Sequence, residues 1–198
     1  MTTSKRLSVR NLHLALIHHP VLNKSGSIIS SAVTNLDLHD ISRLARTYDV
    51  GSFYAVTPLQ DQRQLVESII GHWTRGAGAA YNPKRKQALE RIFVRETIEE
   101  VLAELSAGAA GRAGVLTVAT SARRHDGSIS HDRLRRMLRE DRLCLLMFGT
   151  AWGLADSALE AADYILAPIR ASADYNHLSV RSAAAIILDR IASIDPVR

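Results

Sequence analysis

Three side chains, Tyr175, Asn176 and His177, stand directly before the small and aliphatic run LSVRSAAAIILDR. A phenol, an amide and an imidazole at the mouth of a helix can contact a polar or aromatic ligand, and a helix N-terminus favours polar or anionic groups. Two further segments carry comparable chemistry. FGTAWGL places Gly149 and Gly153 where a chain must turn from strand to helix, and glycines there allow the backbone to approach a ligand closely. ATSAR, with Thr120 at its start, leads into the loop ARRHDGS, which adds Arg123 and Arg124. Each segment follows an apolar run of strand type: YILA, LCLLM and VLTV respectively. In open α/β sheets ligands gather outside the carboxyl ends of the strands, so one pocket can draw on all three loops.

A second cluster is basic. Lys84, Arg85 and Lys86 follow Asn82-Pro83, with Arg75 upstream and Trp73 and Tyr81 nearby. Cations for phosphates beside rings for splayed bases suit RNA; a solvated basic helix start is the plainer account of the same residues. The formal charge of +5 and a sequence pI near 9.7 favour a polyanionic partner.

Other chemistries lack their anchors. GAGAAY (76–81) resembles the opening of a dinucleotide fingerprint, but it follows a helical pattern and lacks the last glycine. There is no Walker motif, no G-x-S-x-G elbow and no paired CxxC. His18 and His19 have no Cys or carboxylate partners at ligand spacing, so they read as a polar strand end and no metal is expected. Cys144, the single cysteine, lies in LCLLMF and reads as a buried structural thiol.

The elements that must position these groups follow from periodicity. Runs 12–19, 52–57, 92–97, 115–121, 143–149 and 164–169 are dense in aliphatic residues and predict short, largely buried strands. Segments 38–49, 59–73, 97–107, 131–140 and 154–162 repeat apolar positions at helical spacing. The alternation predicts an α/β fold with a mostly parallel sheet covered by helices on both faces. Thr57 before Pro58 predicts a cap for the second helix, and Thr97 with Glu100 a capping box. Segments 20–35 and 74–83 read as long loops. The 198 residues, 46% hydrophobic, suit one domain over 1–198. No apolar run approaches the roughly 20 residues of a membrane span, and the start MTTSKRLSVRNLH lacks the apolar centre of a signal peptide, so the cytoplasm is expected.

FGTAWGLADSALEAADYILAPI followed by NHLSVRSAAAIILDRI resembles the two C-terminal motifs of the SPOUT RNA methyltransferases: a glycine-bearing loop, a strand, then a loop ending in N-x-L-S-V-x-x-A-A. DLHDISRLA (37–45) resembles a divergent form of the family's first motif, with Asp37 at an asparagine place and Arg43 at the arginine place. The whole chain, including LHLALIHHPVLNKSG, is similar to a bacterial branch of that family. The resemblance implies a C-terminal deep trefoil knot that binds S-adenosylmethionine, a tRNA or rRNA substrate, and a homodimer formed through the knot. It implies that Phe148, Leu166, Ile169 and Leu178 flank the adenine. Thr120, Gly149, Thr150, Gly153, Asn176 and Ser179 would offer polar or close-approach contacts, with Tyr175 and His177 in the loop over the cofactor. On the substrate side it implies Arg43, or Asp174 as a proton acceptor. A catalytically silent RNA-binding module on the same fold, or another nucleotide-binding α/β protein, is the alternative.

Overall fold

The computed structural model describes residues 9–108, 114–140, 142–170 and 175–193. In chain order the elements are β1 (Leu12–Ile17), β2 (Val21–Leu22), β3 (Ile28–Ile29), α1 (Asn35–Thr47), β4 (Phe53–Val56), α2 (Gln60–Thr74), α3 (Ala77–Tyr81) and α4 (Pro83–Leu89). There follow β5 (Ile92–Arg95), α5 (Ile98–Gly108), β6 (Leu116–Thr120), α6 (His131–Arg139), β7 (Cys144–Gly149), α7 (Asp156–Glu160), β8 (Tyr164–Leu166) and α8 (Val180–Ala192).

The six apolar runs all become strands of one sheet, ordered β5-β4-β1-β7-β6-β8, and every pairing in it is parallel. Alternation along β1 divides the core. Leu12, Leu14 and Leu16 face a cluster built with α1, α4, α6 and α8, whereas Ala15 and Ile17 face one built with α5 and α7. Both faces are thereby buried, which is why these strands read as near-continuous apolar runs and not as alternating ones. Cys144 is fully buried, and burial pushes its thiol up to about 12, as a structural thiol requires.

Chain order reverses between β1 and β7. The chain leaving β1 proceeds towards β4 and β5, and the chain leaving β7 proceeds the other way to β8. Ile17 pairs with Gly149 at the carboxyl end of this step. A crevice opens at such a reversal, because the connections diverge on either side of it.

Three local expectations need correction. Thr57 does not cap α2; Leu59 holds the cap position, and the Thr57 hydroxyl accepts the Leu59 N–H at 3.3 Å. The segment 20–35 contains the antiparallel pair β2–β3, and 74–83 contains α3. Two-residue strands and a five-residue helix are too short for their periodicity to register in a sequence window. The capping box is present in shifted form: the Glu100 N–H donates to Thr97 Oγ1 (3.2 Å), while the Glu100 carboxylate accepts the Glu96 N–H (2.8 Å).

Two buried imidazoles make the fold acid-sensitive. Burial lowers both His13 and His18 from 6.5 to about 4, partly opposed by Glu104 at His13 and by the Ala32 backbone at His18. As pH falls the unfolded chain therefore takes up these protons first. Their stabilising contribution is complete above about 6.5 and disappears as pH falls towards 4. At about pH 5 each should cost about 2 kcal/mol. Urea unfolding followed at about pH 7.5 and pH 5 should show a lower midpoint at the acid end with unchanged slope; equal midpoints would mean that neither ring is held neutral.

Candidate active site

At the carboxyl ends of β1, β6, β7 and β8 lies a cavity of about 710 Å³, within the ~300–1,000 Å³ range of small-molecule sites. Its apolar wall includes Phe148, Leu166, Pro168, Ile169 and Leu178; Thr120, Gly149, Thr150, Gly153, Asn176, His177 and Ser179 also line it. Of the residues the resemblance assigns to the cofactor, only Tyr175 is outside this lining: it is 75% exposed, and its ring packs edge-on to His177, 6.2 Å between centroids.

The loop after β7 is fixed from both sides. Thr150 N–H donates to the Ile17 carbonyl at 3.2 Å, Trp152 N–H to Leu22 O at 3.0 Å, and Leu22 N–H to Gly153 O at 2.9 Å. The small β2–β3 arm thus clamps the glycine loop. Gly153 sits at φ +104, a conformation natural to glycine, and a Cβ there would meet nothing within 4 Å. A Cβ at Gly149 would stand 2.5 Å from the Leu154 nitrogen, so any side chain there displaces the loop. An apolar slot of nucleoside size, with an open space beside a bare backbone turn, fits an adenosine-bearing cofactor.

The C-terminal loop is tied to the same site. Asn176 Nδ2 donates to the Ala122 carbonyl at 3.1 Å, joining the loop before α8 to the loop after β6. Ser179 is the N-cap of α8 and accepts the Ser182 N–H at 3.4 Å. Thr120 Oγ1 donates to the Met147 carbonyl at 2.9 Å and so bridges β6 to β7.

Charged groups at the cavity were only partly legible. Asp37, 6% exposed, lines it and accepts a hydrogen bond from Arg181 at 3.1 Å; Arg181 also approaches Asp40 at 3.5 Å. Arg181 lies two positions after Ser179, at the first open place after N-x-L-S-V in N-x-L-S-V-x-x-A-A, the only signal that pointed to it. Trp152, 55% exposed, and Arg123 add a ring and a cation to the wall, and Ser31 reaches it from the end of the β2–β3 arm. Nothing in the sequence marked Ser31.

Arg43 does not line this cavity. It is on the exposed side of α1, 4.0 Å from Asp40, and borders a shallower hollow of about 400 Å³ that it shares with Arg181 and Ser182. Arg181 is common to both hollows. Asp174 lies outside the described residues.

The basic cluster takes a definite form on α4. Asn82 Oδ1 accepts the Arg85 N–H at 3.0 Å as the helix cap, and Lys86 lies 3.9 Å from Glu90. The Arg85 guanidinium stacks 4.4 Å from the centre of the Trp73 ring, so that ring face is already covered, while Tyr81 is 86% exposed. Arg75 closes the end of α2. Burial, and next the Arg85 cation, hold the His39 imidazole of α1 below its ordinary value, with Arg43 acting in the same direction. Arg85 of α4 and Arg43 therefore share one electrostatic neighbourhood.

Comparison with known proteins agrees with this geometry. A family model described as SAM-dependent RNA methyltransferase matches residues 11–193. A tRNA (guanine-N(1)-)-methyltransferase of Oleidesulfovibrio alaskensis is 46% identical over 189 residues, covering 96% of this chain but 44% of that relative. The chain therefore spans less than half the length of that protein. Among solved structures, a probable methyltransferase of Bordetella pertussis Tohama I superposes with a TM-score of 0.62 at 18% identity, over 94% of this chain and 96% of that one. A SpoU methyltransferase of Streptomyces viridochromogenes solved with AdoMet gives 0.55 at 16% identity, over 91% and 58%. The fold is that of the SpoU-type methyltransferases, and the chain belongs to the family of SAM-dependent RNA methyltransferases.

Proposed function

We propose that this chain binds S-adenosylmethionine in the cavity at the strand ends and transfers its methyl group to a nucleotide of tRNA or rRNA. The observation that carries the reading is the convergence of three loops, after β6, β7 and β8, on one apolar slot with a glycine turn beside it. The Oleidesulfovibrio relative is named for tRNA, which makes tRNA the first substrate to test. More than half of that relative lies outside the matched region, so its name does not assign guanine N1 to this chain.

When bound, the cofactor supplies an electrophilic methyl group on a sulfonium. The protein's own task is alignment and exclusion of water. Phe148, Leu166, Ile169 and Leu178 enclose the adenosine, and the bare backbone at Gly153 leaves room for close approach. Asn176 keeps the C-terminal loop closed against Ala122. Asp37, held by Arg181, is the buried carboxylate on the wall and accepts the proton released by the attacking nitrogen or hydroxyl. Arg43, with Lys84 and Lys86, binds RNA phosphates outside the cavity, and the Arg75 and Arg85 cations extend the same basic strip. In this reading the segment after β8 threads the trefoil knot. Two copies pair through it across the small side chains Ser182 and Ala185 of α8, and the protein works in the cytoplasm. Among the described residues no helix is long and apolar enough to cross a membrane.

Calorimetric titration with S-adenosylmethionine and transfer of a tritiated methyl group to bulk tRNA and rRNA test the reading together. The wild type should bind and transfer. Asn176→Ala should weaken binding about tenfold by releasing the loop, roughly the worth of one hydrogen bond. Asp37→Asn should bind but lose transfer. Binding without transfer to any RNA would favour a silent RNA-binding module, and no binding would end the proposal. Light scattering on the same samples should give twice the 21.7 kDa chain mass; a concentration-independent monomer would refute the dimer.

A further inference from the structure

A chain of polar contacts runs from a buried imidazole to the cavity wall. His18 Nδ1 lies 3.0 Å from Ser31 Oγ, Ser31 Oγ lies 2.6 Å from Thr150 Oγ1, and Thr150 Oγ1 lies 3.0 Å from the Ile17 carbonyl oxygen. His18 is fully buried, whereas Ser31 and Thr150 line the cavity.

Counting protons fixes the direction of this chain. A carbonyl oxygen only accepts, so the Thr150 hydroxyl gives its one proton to Ile17. The contact between the two hydroxyls then needs the Ser31 proton, and Ser31 has none left for the ring. His18 must therefore donate from Nδ1. Satisfying these three contacts together admits one arrangement, with the Ala32 backbone as a further acceptor beside the ring. Nε2 is then a bare acceptor, and that atom is buried without a partner. Burial, which lowers the ring to about 4, keeps a second proton off it near neutrality.

Each hydroxyl is left with a lone pair and no proton to offer. We propose that Ser31 and Thr150 form an acceptor-only subsite for an N–H donor of bound S-adenosylmethionine, either the adenine amine or the methionyl ammonium, and that His18 is the positioning residue that sets this polarity. The proposal rests on the cavity being the cofactor site. Without a donor at His18, Ser31 is free to turn its proton towards the ligand, where it would oppose another donor.

Two measurements test it. Long-range proton–nitrogen spectra of the ligand-free, nitrogen-15-labelled protein should show His18 protonated at Nδ1 near neutral pH; an Nε2-protonated ring overturns the polarity. The second is titration of wild type, His18→Asn and His18→Phe with S-adenosylhomocysteine, 5′-methylthioadenosine and S-inosylhomocysteine. The asparagine amide nitrogen occupies the place of Nδ1, so H18N should bind S-adenosylhomocysteine close to wild type, and H18F about tenfold more weakly. If the subsite holds the ammonium, methylthioadenosine should bind H18F and wild type equally. If it holds the amine, S-inosylhomocysteine, whose O6 is an acceptor, should bind H18F at least as tightly as wild type, because the freed Ser31 proton can meet that oxygen. Equal losses in H18F for all three ligands, no loss for any, or an H18N that falls with H18F would overturn the proposal. Failure of wild type to bind any of the three sinks the cofactor reading and the subsite with it, whereas an Nε2–H tautomer sinks the polarity alone.

Discussion

The site depends on the pairing of β1 with β7, which sets Ile17 opposite Gly149 at the point where strand order reverses. From that register the Ile17 carbonyl accepts both the backbone N–H and the hydroxyl of Thr150, so the glycine loop starts from a fixed height above the sheet. The β2–β3 arm then holds the loop's far side through Leu22. A one-residue slip between β1 and β7 would turn Phe148 from one core cluster to the other and carry the loop away from both partners. Apolar packing on both faces of the sheet is what prevents such a slip.

Around that register single polar contacts join the remaining loops and strand ends. Asn176 reaches Ala122, and Thr120 reaches Met147. Each alone is worth about 1 kcal/mol, little beside the apolar packing that holds the strands. The charged pair Asp37–Arg181 is different: its carboxylate is nearly buried, and removing the guanidinium would leave that charge without compensation. Stable strands, loosely tied loops and one anchored carboxylate together make a site that can admit a ligand and still hold its geometry.

Much of this was readable beforehand, for physical reasons that differ by element. The six sheet strands were legible because both of their faces are buried, which makes long aliphatic runs unavoidable. FGTAWGL and the N-x-L-S-V run were legible because a glycine turn and a capped helix start need particular residue types. Ser31 and the β2–β3 arm were not, since a two-residue ribbon leaves no period and serine is common in loops. Arg43 was placed correctly on α1, but the sequence could not tell which of two neighbouring hollows its side chain would border. His18 looked like a polar strand end; its full burial and its contact with Ser31 come only from the fold.

Amide hydrogen exchange with and without S-adenosylhomocysteine tests most directly whether the three strand ends act as one binding site. The account predicts that 120–125 after β6, 149–154 after β7, and 166–169 with 176–180 after β8 gain protection together while 83–95 is unchanged. Protection confined to one of those loops, or appearing only at 83–95, would contradict it.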